Sequence, residues 1–171
     1  MKTKILIIIL SVLIVASGGV TVWAVFIRDQ SQPPITPDYP PQGVDSNQTP
    51  IEGDTGEKLE SPSGGGAINV TYGTSVTASL TSGAVNLYCA NPNASTQNVR
   101  VLLMVGDLVV AHSELIEPGH QLTSMQMEQS ATERLSVGGY EAKLLIQSFD
   151  PASNEKAMID TEGAVTLTVL P

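Results

Sequence analysis

The chain has 171 residues, enough for one ordinary domain and some segments outside it. Seventeen acidic residues against eight basic ones give a formal charge of −9, which sets the protein against nucleic acid as a partner. Two histidines and one cysteine exclude a standard zinc framework and an intramolecular disulfide, and with aromatics at 4% stacking platforms for bases or sugars are thin.

In chain order, Met1-Lys2-Thr3-Lys4 is followed from Ile5 to Ile27 by 23 uncharged residues, 18 of them apolar. A helix rising about 1.5 Å per residue over that length spans a hydrocarbon core of roughly 30 Å. Trp23 and Phe26 near the exit suit the interfacial aromatic belt, Arg28 ends the run, and Lys2 and Lys4 set the N-terminus in the cytoplasm. Residues 1–28 are therefore expected to be an uncleaved signal-anchor, a single transmembrane helix that makes the lipid bilayer a partner and leaves the rest of the chain outside. The alternative is a cleaved signal peptide and a secreted product, with Val15-Ala16-Ser17 or Val22-Trp23-Ala24 at the cut. Its apolar core is usually only about 7–15 residues, shorter than this run. No lipobox cysteine follows the apolar stretch.

Residues 29–66 carry seven of the eleven prolines, end in Gly64-Gly65-Gly66 and hold seven acidic residues against Lys58. They show neither helical nor strand periodicity, so they are expected to form a disordered acidic linker that cannot offset its ordering entropy. Such a linker of 38 residues spans about 35 Å root-mean-square. Its Pro-rich runs read as spacer, since no spaced PxxP with a flanking basic residue stands out.

Residues 67–171 alternate with a period of two: Ile68, Val70, Tyr72; Val76, Ala78, Leu80; Val85, Leu87, Cys89; Val99, Val101, Leu103, Val105; Leu144, Ile146; Val165, Leu167, Val169. Strands with one buried face read this way. Turn residues recur every 8–12 positions or so, at Thr81-Ser82-Gly83, Asn91-Pro92-Asn93, Glu117-Pro118-Gly119, Gly138-Gly139 and Glu162-Gly163 among others. This cadence predicts an all-β fold, an antiparallel β-sandwich ectodomain. Gly106-Asp107 between apolar strands predicts a tight type II′ hairpin. The stretch 125–135, with Met127, Ala131 and Leu135 at helical spacing, fits a strand or a short helical crossover.

The stretch Leu135-Ser136-Val137-Gly138-Gly139-Tyr140-Glu141-Ala142-Lys143-Leu144 resembles the penultimate strand entry of bacterial immunoglobulin-like and fibronectin type III-like domains. The resemblance implies that the antiparallel β-sandwich of residues 67–171 is immunoglobulin-like, and it implies a structural role for Tyr140, a tyrosine-corner candidate whose hydroxyl bonds to backbone a few residues upstream. The paired cysteines and core tryptophan of antibody domains are missing. With its anchor and linker, the chain resembles small single-pass surface proteins of Gram-positive bacteria. No sorting motif or basic tail follows Leu170-Pro171, so sortase attachment is not expected.

Catalytic constellations are sparse. His112 and Ser113 are neighbours on an expected strand, where they point to opposite faces and cannot pair as base and nucleophile. His120 follows a turn and reads as a loop residue. Glu114 with Glu117, or Glu128 with Glu133, have the residue types for glycoside cleavage but lack platform aromatics, and they read as solvated charges. Asp150-Pro151-Ala152-Ser153-Asn154-Glu155 offers oxygen ligands for calcium without EF-hand spacing, and the same residues make an ordinary hairpin loop. Cys89 is in phase with Val85 and Leu87 and is expected to pack inward as a small hydrophobe. The Asn-X-Ser/Thr triplets at Asn47, Asn69 and Asn93 are glycan acceptors only in a eukaryotic secretory pathway.

No catalytic, metal or cofactor site is expected, and the sequence favours a membrane-anchored, non-catalytic module that binds another surface or envelope protein. A second expectation is an accessory subunit of a conjugation, secretion or other envelope assembly, in which Ser17-Gly18-Gly19 with Thr21 supports close helix packing. A small hydrolase is the third. The acidic domain and linker predict repulsion from anionic lipid.

Overall fold

The computed structural model describes residue 41 and residues 43–61 and 65–171, all within the compact unit Tyr39–Pro171. The expected membrane span with Ile5, Trp23 and Ile27 lies outside the described residues, and among those described no helix is long and apolar enough to cross a membrane. The described residues form β1 (Thr49–Pro50), β2 (Thr71–Tyr72), β3 (Ser75–Ser79), β4 (Ala84–Asn91), β5 (Asn98–Val105), β6 (Leu108–His112), β7 (His120–Gln126), α1 (Gln129–Arg134), β8 (Gly138–Phe149) and β9 (Thr161–Leu170).

Where the sequence alternates, burial alternates. Val85, Leu87 and Cys89 of β4 are buried while Asn86 and Tyr88 are exposed, and Val165, Leu167 and Val169 of β9 are buried between exposed threonines and Leu170. The strands hydrogen-bond into one sheet in the order β1-β7-β4-β3-β9-β8-β5-β6, with β2 also on β4. The sheet curls around one apolar core, which takes Val85, Leu87, Leu122 and Met125 from β4 and β7 and Val101, Leu103, Leu144 and Leu167 from β5, β8 and β9. The pairing of β4 with β7, β5 with β8 and β8 with β9 follows the Greek-key order of immunoglobulin-like folds.

The described residues are nearly all β, as expected, but the strands are not antiparallel throughout. β3 runs parallel to β9, from Ser75 opposite Thr166 to Ser79 opposite Leu170, and its other edge pairs antiparallel with β4. A five-residue strand bonded along both edges joins the two halves and leaves no open seam there. Beside this seam the Tyr72 ring packs over Gly163, where an added Cβ would overlap the ring.

β5 departs from alternation because every residue from Asn98 to Met104 is buried. Leu102 and Met104, with Val109 of β6 and Leu145 of β8, form a second apolar cluster apart from the main core. A strand buried on both faces reads as a continuous apolar run. The β5–β6 hairpin turns at Gly106-Asp107, with Gly106 at φ 58° and no positive φ at Asp107, which is the type II′ pattern. The ambiguous 125–135 stretch divides into the end of β7 and the short α1, which buries Ala131, with Leu135 buried just beyond it.

Part of the expected linker, residues 43–59, is bonded to the loops of the domain. It is a strap along the loops that flank β4, β5 and β7. Val44 bridges Leu115, Asp45 N donates to Leu115 O at 2.8 Å, β1 pairs β7, Ile51 N donates to Gly119 O at 2.8 Å, and Leu59 N donates to Ala94 O at 2.8 Å. Side chains lock it further. Asp45 accepts from Asn47 N and Glu114 N, Gln48 exchanges two bonds with Glu117, and Asp54 accepts from Asn93 N. Polar bonds to distant backbone hold this segment, and apolar periodicity carries no trace of such bonds. The rest of the expected linker, residues 29–40, 42 and 62–64, lies outside the described residues.

Candidate functional site

The chemistry-bearing side chains are separated by the pleat and engaged in structure. Ser113 is buried just past the end of β6; its Oγ accepts from Val101 N at 2.9 Å and its carbonyl accepts from Arg100 Nε at 2.9 Å. His112 faces the other way, with Nδ1 2.7 Å from Glu128 Oε1. Glu128 stands at the N-cap of α1 without capping it through its side chain. This pair lies where Met127 bridges Ala111 and Glu128 N donates to Val110 O, so the entry to α1 covers part of the β6 edge.

His120 begins β7, and its Nδ1 lies 3.3 Å from Pro118 O. It lines a cleft of about 580 Å³ with Lys58, Asn98, Glu117 and Pro151. The charged groups of this cleft are tied to the strap, since Lys58 Nζ donates to Ser95 O and Glu117 accepts from Gln48. The carboxylate pairs considered for hydrolysis have separate partners: Glu117 is held by Gln48, Glu128 by His112, and Glu133 by Gln129.

Asp150 Oδ1 accepts from Ala152 N, Ser153 N and Ser153 Oγ. The backbone bond from Ser153, then that from Ala152, holds the carboxyl below its ordinary value of 3.8. The oxygen that would face a cation is thus engaged within its own turn. Among the described residues no group of three or more His, Cys, Asp and Glu side chains is arranged to hold a metal ion. Cys89 is buried within the core, and desolvation pushes its thiol up to about 12.

The Tyr140 hydroxyl donates to Ser136 O at 2.9 Å and accepts from Ser136 N at 3.0 Å. These two bonds tie the loop entering β8.

Two surface features have little signal in the sequence. One is the strap. The other is the β8–β9 loop, residues 150–160, where Met158 and Ile159 are 101% and 80% exposed. Its only sequence signal is the run Ala157-Met158-Ile159 between Lys156 and Asp160, in a stretch whose Asp, Pro, Ser and Asn otherwise read as a turn.

No family model matches the chain, and no curated protein sequence matches it either. Among solved structures it is similar to the YadV chaperone, with 17% identity over 61% of this chain and 51% of that one and a TM-score of 0.39. The chain thus spans about half the length of that chaperone. It is also similar to AggA, the major subunit of aggregative adherence fimbriae type I from Escherichia coli, with 11% identity over 65% of this chain and 99% of that one and a TM-score of 0.32. The CooA pilin subunit from enterotoxigenic Escherichia coli matches with 13% identity over 61% and 99% of the two chains and a TM-score of 0.29.

Proposed function

We propose that the chain is a non-catalytic envelope module whose immunoglobulin-like domain binds another surface or envelope protein and whose apolar run from Ile5 to Ile27 anchors it in the membrane. The observation that carries this is the engagement of the reactive groups. Ser113 is bonded to Val101 N, His112 is paired with Glu128, Asp150 is closed in its own turn and Cys89 is sealed in the core. Nucleophilic or acid–base catalysis needs such groups convergent and within reach of one reacting atom. A binding module needs only a stable scaffold and an accessible surface.

In-cell crosslinking of the tagged full-length protein, with mass spectrometry of the products, tests this proposal. A reproducible protein partner is expected. Hydrolytic turnover by the full chain that vanishes on His112→Ala or His120→Ala would overturn it. Alkaline extraction of membranes tests the anchor, which is expected to stay with the lipid fraction; release of a shortened chain would favour the cleaved signal. Replacing Ile5 to Ile27 with a polyleucine helix separates a simple tether, whose partner is retained, from an assembly subunit, whose partner is lost.

A further inference from the structure

The β8–β9 loop spends structure on presenting two apolar side chains that the domain itself does not use. At its base Asp150 N donates to Glu155 O at 2.9 Å, Asn154 N donates to Asp150 O at 2.8 Å, and Ala157 N donates to Ser148 O at 2.8 Å. Phe149 bridges Lys156, and Asn154 takes a left-handed φ of 56° to complete the turn. Lys156 Nζ lies 3.0 Å from Asp160 Oδ2, an ion pair that fastens the two ends of the segment carrying Met158 and Ile159. Both tip residues stand fully or nearly fully in solvent, adjacent in sequence, whereas Phe149 at the end of β8 is buried. A loop whose backbone is already fastened loses little backbone freedom on binding, which lowers the ordering cost of an anchor.

Charge decides between the occupants such a tip could have. The loop holds Asp150, Glu155 and Asp160 against Lys156, and residues 67–171 hold ten acids against four bases. An anionic bilayer repels a tip so surrounded, and a second copy of this chain presents the same sign. A foreign protein with an apolar pocket and a basic rim fits both the side chains and the field. Resting on the protein-binding role proposed above, we propose that Met158 and Ile159 are the anchor residues of that interface, inserted into an apolar, basic-rimmed pocket of the partner.

Panning the full-length protein in neutral-lipid nanodiscs against a phage-displayed random peptide library tests the chemistry directly. Peptides combining apolar and basic residues are expected to be enriched. Their affinity is expected to fall at least tenfold in a Met158→Ser, Ile159→Ser variant and to be unchanged by Leu170→Ser, an exposed apolar position at the far end of β9. Enrichment that ignores the double substitution, or peptides lacking basic residues, would overturn the proposal. A spin label on Met158→Cys in vesicles of four parts phosphatidylcholine to one of phosphatidylglycerol is expected to stay water-accessible, and burial of the label in the acyl region would also overturn it. A photoreactive residue at position 158 or at exposed Tyr88, tested in cells, separates the two failures. Products from 88 alone defeat the loop and leave the protein-binding role standing, whereas products from neither defeat both.

Discussion

The main core and the strap are both fixed parts of the domain, yet they are held by different forces. The core packs Val101, Leu103, Leu144 and Leu167 against Val85, Leu87 and Leu122, all buried, and its stability comes from apolar area removed from water. The strap over residues 43–59 buries little apolar surface. It is held by Asp45, Gln48 and Asp54, whose side chains reach backbone or side-chain groups 2, 69 and 39 residues away. The first kind of cohesion is cooperative and deep; the second is a series of local bonds, each of which opens at modest cost.

The sharpest way to expose the difference is to damage each region by one residue. Leu103→Ala leaves a cavity where the side chain was fully buried, and is expected to cost about 2–5 kcal/mol in chemical denaturation of the whole domain. Asp45→Ala removes the acceptor for Asn47 N and Glu114 N and is expected to cost about 1–3 kcal/mol. Its effect should be regional: amide hydrogen exchange speeds up at Leu115 and Ile51 while β8 and β9 keep their protection. Uniform exchange across the domain would mean that the strap and the core unfold as one unit.

Two smaller changes test the polar closures outside the strap. Tyr140→Phe loses both hydrogen bonds to Ser136 and is expected to cost about 1 kcal/mol in the same denaturation assay. Asp150→Asn gives the smallest effect and has a definite pH signature. Because the folded carboxyl is held below its ordinary value of 3.8, its contribution is present above that value and is lost as pH falls through the folded pKa. Wild type should therefore exceed the variant by a constant margin near neutrality, and the two should converge in acid. A gap that widens on acidification would reverse the assigned direction.

The same division of forces explains which parts could be read from sequence. β3, β4 and β9 are legible because one face meets the core and the other meets water, so burial writes itself as a period of two. β5 blurs that signal, since Leu102 and Met104 are buried on the face opposite Leu103. The Tyr140 hydroxyl has its partner only four residues away, so both ends of the bond lie within one short stretch of sequence. The strap is not legible, because a Pro-rich acidic stretch has the composition of a linker whether or not Asp45 finds Glu114 N. Nor does the composition of the β8–β9 loop say which of its residues are fastened below and which are lifted clear.

The parallel seam between β3 and β9 also has a mechanical meaning. A pull on the chain ahead of β3, opposed at Pro171, draws the two strands past each other along their length. All five residue pairs from Ser75–Thr166 to Ser79–Leu170 then bear the load together in shear, with none peeled open first. The evenly spaced bonds of a parallel ladder share such a load. The seam that joins the two halves of the sheet is thus the clamp that resists tension along the chain.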